Sequence, residues 1–178
     1  MAQWVSRRHF LTWCGAAGTL LAAPGLGRAA AGERRIALLN LHTGERVDTV
    51  YWAEGAYLPE AMDRINRVMR DHRNDAVTEM DPALIDALHR LRSLLRVEGP
   101  AQIVSAYRSP ESNAALRRTT NGVAKNSYHV RGQATDLRLP GVPLWELRKA
   151  ARQMEVGGVG YYPLSDFVHV DTGRVRMW

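Results

Sequence analysis

Gly158-Val159-Gly160-Tyr161-Tyr162-Pro163-Leu164-Ser165-Asp166-Phe167-Val168-His169-Val170-Asp171-Thr172-Gly173 reads as two short β-prone runs around a proline-bearing turn. That is the pattern of a hairpin bending at Pro163 to Asp166. In its second arm Phe167, His169 and Asp171 alternate with Val168 and Val170. Side chains on a strand point alternately to its two faces, so one face is apolar and the other presents His169. An apolar face needs helices or a second layer to cover it.

Working outward, Pro143 to Met154 reads as a helix, Gln133 to Leu137 as a strand, Pro110 to Arg118 as a short helix and Gln102 to Ala106 as a buried strand. Further upstream, Asp81 with Pro82 just inside it starts a helix with an apolar stripe of Leu84, Leu88, Leu91 and Leu95. Leu58, Met62, Ile65 and Met69 mark another helix over residues 58–72. Arg35 to Leu41 and Arg46 to Trp52, joined by His42 to Glu45, form an N-terminal hairpin. The expected fold is α+β, a single domain with a small antiparallel sheet and helices packed on it. No repeat or low-complexity stretch interrupts it.

The first thirty-one residues belong to a different class. Ser6, Arg7 and Arg8 precede Phe10 and Leu11, an apolar run continues to about Leu26, and Ala29, Ala30 and Ala31 follow. The layout is secretory, and the paired arginines resemble a twin-arginine export signal. The run is shorter than the roughly 20 residues of a membrane span. Residues 1–31 are therefore expected to be a removable signal peptide and 32–178 the working domain, in the periplasm and with no membrane span of its own. The full chain has a formal charge of +6, and loss of Arg7, Arg8 and Arg28 leaves +3. So mild a surplus does not call for nucleic acid, though it suits an acidic wall polymer. The one cysteine, Cys14, departs with the leader, so any metal must be held by histidines and carboxylates.

Such a set is present. Ser127, His129, Gly132, Ala134 and Asp136 are followed by Asp166, His169 and Asp171. Two histidines and one carboxylate make the three-ligand arrangement of catalytic zinc, whose fourth position is left for water. His129, Asp136 and His169 are thus candidate ligands. A lone His before an Asp is commonplace on a surface strand, and only the conjunction raises this one above that reading. His42, His72 and His89 lie in a turn and on expected helices without partners at ligand spacing, and hydrogen-bonded or solvated roles suit them better.

Ser127-x-His129-x-x-Gly132-x-Ala134-x-Asp136, with Asp166-x-x-His169, resembles the zinc D-alanyl-D-alanine peptidases related in fold to hedgehog domains. The run from Gly158 to Gly173 is closer to the MepK-like murein endopeptidases, and the resemblance extends from about Arg35 to Trp178. It implies a zinc cleft in which an activated water attacks a peptide carbonyl of a cell-wall stem, in linkages of D-alanine or diaminopimelate. It further implies Asp166 as general base, with Asp171 competing as base or as partner of a histidine ligand. Arg108 takes the place of an arginine that steadies the oxyanion, and Ser127 that of a substrate-contacting serine. The expected partner is the peptidoglycan peptide stem and the expected state a monomer. A D,D-carboxypeptidase or dipeptidase, or a zinc-holding wall-binding module without turnover, remain the alternatives.

Overall fold

The computed structural model describes residues 1, 32–120 and 123–178, so the expected leader lies outside the described residues apart from Met1. β1 (Arg34–Asn40) and β2 (Arg46–Ala53) form the N-terminal hairpin, extended by the short β3 (Ala56–Tyr57). α1 (Pro59–Val68) and α2 (Pro82–Leu94) follow, then β4 (Ala101–Ser105) and α3 (Pro110–Thr119). A single 3₁₀ turn at Tyr128–Arg131 leads into β5 (Ala134–Arg138), followed by α4 (Leu144–Met154). β6 (Gly158–Tyr162) and β7 (Phe167–Asp171) are the expected hairpin, and β8 (Arg176–Met177) closes the chain.

The α+β class and single domain hold, but the sheet is larger than a small antiparallel one. Eight strands run in the order β3-β2-β1-β4-β5-β7-β6-β8. β1 pairs with β4 in parallel, and so does β6 with β8; the remaining neighbours are antiparallel. The parallel β1–β4 pair requires a long crossover, and α1 and α2 provide it.

One face of this sheet is dry. Ile36 and Leu38 of β1, Leu137 of β5, Val159 of β6, and Val168 and Val170 of β7 join one core with Ile65 of α1, Leu84, Leu88 and Leu91 of α2, and Leu147 of α4. Burying each such side chain stabilises the fold by about 1.5–3 kcal/mol. α1 is shorter than the expected 58–72. It is capped at Met69, because the next residues turn back: the Asp71 amide bonds Ala76 O, and the Asp71 carboxylate accepts from the amides of Arg73 and Ser109. His72 is therefore not helical, and its ring stacks on that of His42 with centroids 3.8 Å apart. His89 is half-buried on α2 and contacts Arg35 O at 3.0 Å. No described helix is long and apolar enough to cross a membrane.

Candidate metal centre

The alternation that sends Leu137, Val168, Val170 and Val159 into the core sends their neighbours to the opposite face. There β5 contributes Asp136, β7 contributes His169 and Asp171, and β6 contributes Gly158, Gly160 and Tyr162. Asp136 and His169 are direct cross-strand partners. His129 arrives on the 3₁₀ turn before β5. Ser127 caps that turn by accepting from the His129 amide at 3.3 Å. Gly132 ends it at φ +68°, where a Cβ would lie 2.5 Å from Glu79 O, so only glycine fits this reversal.

These elements bring His129, Asp136 and His169 together, with one donor atom from each lying within 4.8 Å of the others. His129 is 3% exposed and His169 8% exposed. The orientation of both rings is set from behind. His129 Nδ1 lies 2.7 Å from Ala106 O, and a carbonyl accepts only, so Nδ1 carries the hydrogen and Nε2 keeps its lone pair. His169 Nε2 lies 3.0 Å from Asp171 Oδ2, which places the hydrogen on Nε2 and leaves Nδ1 free to coordinate. Those two lone-pair nitrogens are 3.3 Å apart, with Asp136 Oδ1 at 2.8 Å from His169 Nδ1 and 3.4 Å from His129 Nε2. Two imidazole nitrogens and a carboxylate oxygen converging in this way match the donor set of catalytic zinc. Burial works against charge on Asp136, yet His129 and His169 hold its pKa well below the usual carboxylate range. Burial likewise works against a charged His169, and Asp136 and Asp171 outweigh it, so its pKa is raised.

The cleft above this set measures about 720 Å³. Arg108 and Ser127 line it together with the three candidate ligands, and Tyr128, Tyr162, Phe167 and Trp178 give it aromatic walls. Arg108 Nη2 is 3.5 Å from Ser127 Oγ, at the limit of a hydrogen bond, and its buried Nε has no partner among the described residues. A guanidinium held in place yet short of acceptors is available to a bound group. Burial lowers its pKa from the ordinary arginine value.

Neither carboxylate expected as base lines the cleft. Asp171 is fully buried, and its oxygens accept from His169, Arg176 and the amides of Gly158 and Gly173. Its place is behind His169, where it orients the ring. Asp166 sits at the end of the Pro163–Ser165 turn at φ +55°, 60% exposed, and pairs with Arg138. Its neighbours Ser165 and Phe167 line the cleft. Among the described residues, Asp136 is the only carboxylate in the lining.

Two contributors escaped the sequence reading, Arg176 and Trp178. Arg176 forks onto Asp171. Trp178 lies 5.3 Å from the His169 ring and donates its indole N–H to Tyr162 Oη at 2.7 Å. The signal for them was the pair Gly158 and Gly160. A Cβ at 158 would collide with Arg176 Nη1 and stand 2.5 Å from Asp171 Oδ2, and one at 160 would stand 2.7 Å from the Trp178 ring.

A family described as "Peptidoglycan L,D-endopeptidase MepK" matches residues 28–178. A peptidoglycan L,D-endopeptidase MepK from Escherichia coli K12 is 46% identical over 145 residues, 82% of this chain and 80% of that protein. The Shigella flexneri protein of the same name matches to the same extent. A probable peptidoglycan L,D-endopeptidase MepK from Haemophilus influenzae is 40% identical over 146 residues, 82% of this chain and 78% of that protein.

Proposed function

This chain belongs to the MepK peptidase family, and from that premise we propose that it is a zinc-dependent murein endopeptidase. It hydrolyses peptide links in peptidoglycan stems, with His129, Asp136 and His169 as the metal ligands. The observation that carries the metal assignment is that Ala106 O and Asp171 each occupy the far nitrogen of a histidine, so the other nitrogen of each ring faces Asp136. Zinc held there supplies an activated water and polarises the scissile carbonyl. The bond cut joins the carbonyl of an L-centre to the amine of a D-centre, in keeping with the relatives' name.

The chain's own residues then have distinct tasks. Arg108 faces the reacting carbonyl and meets the negative charge that grows on its oxygen, with its unpartnered Nε ready to donate. Ser127 caps the turn that carries His129 and presents its hydroxyl to the cleft, where it contacts the stem. Asp166 is the base. Its pair with Arg138 is exposed, and such pairs are worth only about 0–1 kcal/mol, so the carboxylate swings toward the cleft at little cost. Asp171 orients His169 and takes no proton from water, since its lone pairs are already engaged.

Residues 1–31 act as an export signal, and the paired Arg7 and Arg8 direct the folded protein through the twin-arginine route to the periplasm. Replacing both with Lys strands the precursor in the cytoplasm, and normal export of that variant would point to the general secretory route.

One observation favours a second reading, a zinc-holding wall-binding module. In the structure both candidate bases are engaged elsewhere, Asp166 by Arg138 and Asp171 by five donors. Digestion of purified muropeptides, with products identified by mass, separates the two. New fragments from a cut cross-link support the endopeptidase, loss of only a terminal residue indicates a carboxypeptidase, and no cleavage by zinc-loaded protein leaves the module.

A further inference from the structure

Arg176 is held on three sides. Its guanidinium forks onto Asp171, Nη2 to Oδ2 at 2.6 Å and Nη1 to Oδ1 at 3.0 Å. It lies over the Tyr128 ring, 5.0 Å from the centroid, and over the Trp178 ring, 4.8 Å from the centroid, so two aromatic faces attract the cation. The two oxygens of Asp171 are not equivalent. The amides of Gly158 and Gly173, at 3.0 and 2.8 Å, both bind Oδ1. Oδ2 is shared by only two donors, His169 Nε2 and Arg176 Nη2. The backbone thus anchors one oxygen, and the arginine fork fixes the direction of the other, which is the one that holds the histidine.

We propose that Arg176 is a positioning residue for the metal ligand His169, acting through Asp171, with Tyr128 and Trp178 clamping its guanidinium. The inference rests on the zinc reading above. A bidentate fork specifies the plane of a carboxylate, which a point charge does not. Without it, Asp171 keeps its amide bonds to Oδ1 but loses the constraint on Oδ2, and the His169 ring loses its fixed bearing on the cleft. Gly158 is the sequence's accommodation of this pair, since a Cβ there would strike the guanidinium. Tyr128 directly precedes His129, so the turn that carries one candidate ligand also carries a ring against the arginine behind the other.

Arg176 also lines the cleft, and direct contact with substrate is the competing role. Zinc affinity decides between them. It is measured by chelator competition on the purified protein, beside the absorption spectrum of the cobalt-substituted form, for the unaltered chain, Arg176→Ala, Arg176→Lys, Asp171→Asn and the double variant Arg176→Ala/Asp171→Asn. Outer partners of metal ligands typically contribute 10–100-fold in affinity. The expected loss for Arg176→Ala is about tenfold, with a shifted cobalt band, while Arg176→Lys recovers only part because it lacks the fork. The double variant binds no more weakly than Asp171→Asn alone, since an arginine acting through the aspartate has nothing left to act on. Unchanged zinc affinity and cobalt spectrum in Arg176→Ala, with only KM or the melting temperature altered, would overturn the proposal, as would additive losses in the double variant. If Arg176→Ala does not fold, Arg176→Lys carries the test: looser zinc with an unchanged melting temperature of the metal-free protein supports the role, and unaltered affinity refutes it. An unaltered chain that binds no zinc takes down the functional reading itself, which is a distinguishable result.

Discussion

Asp86 and Asp171 are two carboxylates placed in the same way in different halves of the molecule. Asp86, on α2, accepts from Arg34 at 2.8 Å and from the hydroxyls of Tyr51 and Tyr57 at 2.7 and 2.8 Å. It ties the β1–β2–β3 end of the sheet to a helix. Asp171 also has an arginine fork or pair and several further donors, and burial opposes the charge on both while their partners hold the pKa low. The difference lies on the far side of the partner. The tyrosines on Asp86 lead to no cleft-lining group, Tyr51 being buried and Tyr57 half-buried against Trp52, whereas beyond the imidazole that Asp171 holds is an open cleft with a second histidine and a carboxylate. A carboxylate saturated by donors is therefore a structural device in itself, whether half-buried like Asp86 or fully buried like Asp171. It becomes part of a functional site only when a donor it orients has a second face left free.

The sharpest break of the comparison comes from the ligands themselves. His169→Ala is expected to lower bound zinc from about one equivalent to near none while the fold survives, measured by metal analysis of the purified protein; a variant retaining full zinc would refute the assignment. Next in size, Asp166→Asn is expected to keep zinc and stability yet slow muropeptide cleavage by about a hundredfold or more, the usual scale for a lost general base. An unchanged rate would remove Asp166 from the mechanism. Crossing the two carboxylates follows. Asp171→Asn should weaken zinc binding by roughly 10–100-fold, with activity partly restored by added zinc, whereas Asp86→Asn should leave zinc affinity untouched. Its loss of charge-assisted hydrogen bonds instead costs about 1.5–3 kcal/mol, or roughly 3–12 °C in melting temperature. Equal effects of the two on metal affinity would erase the distinction.

The smallest effect is on pH. Asp86 has a folded pKa below its unfolded value of about 3.9, so its contribution is fully present above that value and is lost as pH falls through the folded pKa. The stability gap between the unaltered chain and Asp86→Asn, read from urea midpoints, should close only in that acid window. His72 behaves in the same sense at higher pH. Burial, then Arg73 and His42, push its pKa down to about 4, so its neutral form stabilises the fold above about 6.5 and that contribution fades between there and 4. His72→Gln should flatten this part of the profile.

The C-terminal hairpin was the most legible region, because strict alternation over Phe167 to Asp171 fixes which residues face the core and which face the site. Residue type and spacing brought Asp136 and His169 forward as candidate ligands, but that β5 and β7 are neighbours, which sets the two side by side across α4 and β6, was written in neither strand's own pattern. Less legible were features that depend on distant segments. The parallel β1–β4 pairing joins residues separated by two helices, and neither strand's own pattern declares its neighbour. The stack of His42 on His72 goes with the early stop of α1, where Asp71 is held both by the local turn to Ala76 and by the Ser109 amide from a distant segment. β8 is two residues long, too short for any periodicity, which is why Arg176 and Trp178 were missed although Gly158 and Gly160 had been cleared for them. The engagement of Asp166 by Arg138 was hidden for a similar reason: a turn residue's direction is set by the left-handed backbone at its end, not by spacing from His169.

The strand order has one more consequence. Both outermost strands of the sheet, Ala56–Tyr57 and Arg176–Met177, are only two residues long. An edge strand is a row of unpaired amides and carbonyls on which another chain can template itself. At the β8 border Trp178 prolongs the cover, with its amide on Val159 O and its carbonyl accepting from Tyr161, so little of that row is offered. At the other border β3 covers only Trp52 and Ala53, and β2 from Arg46 to Val50 pairs on its β1 side alone, which makes that stretch the margin where another chain would add.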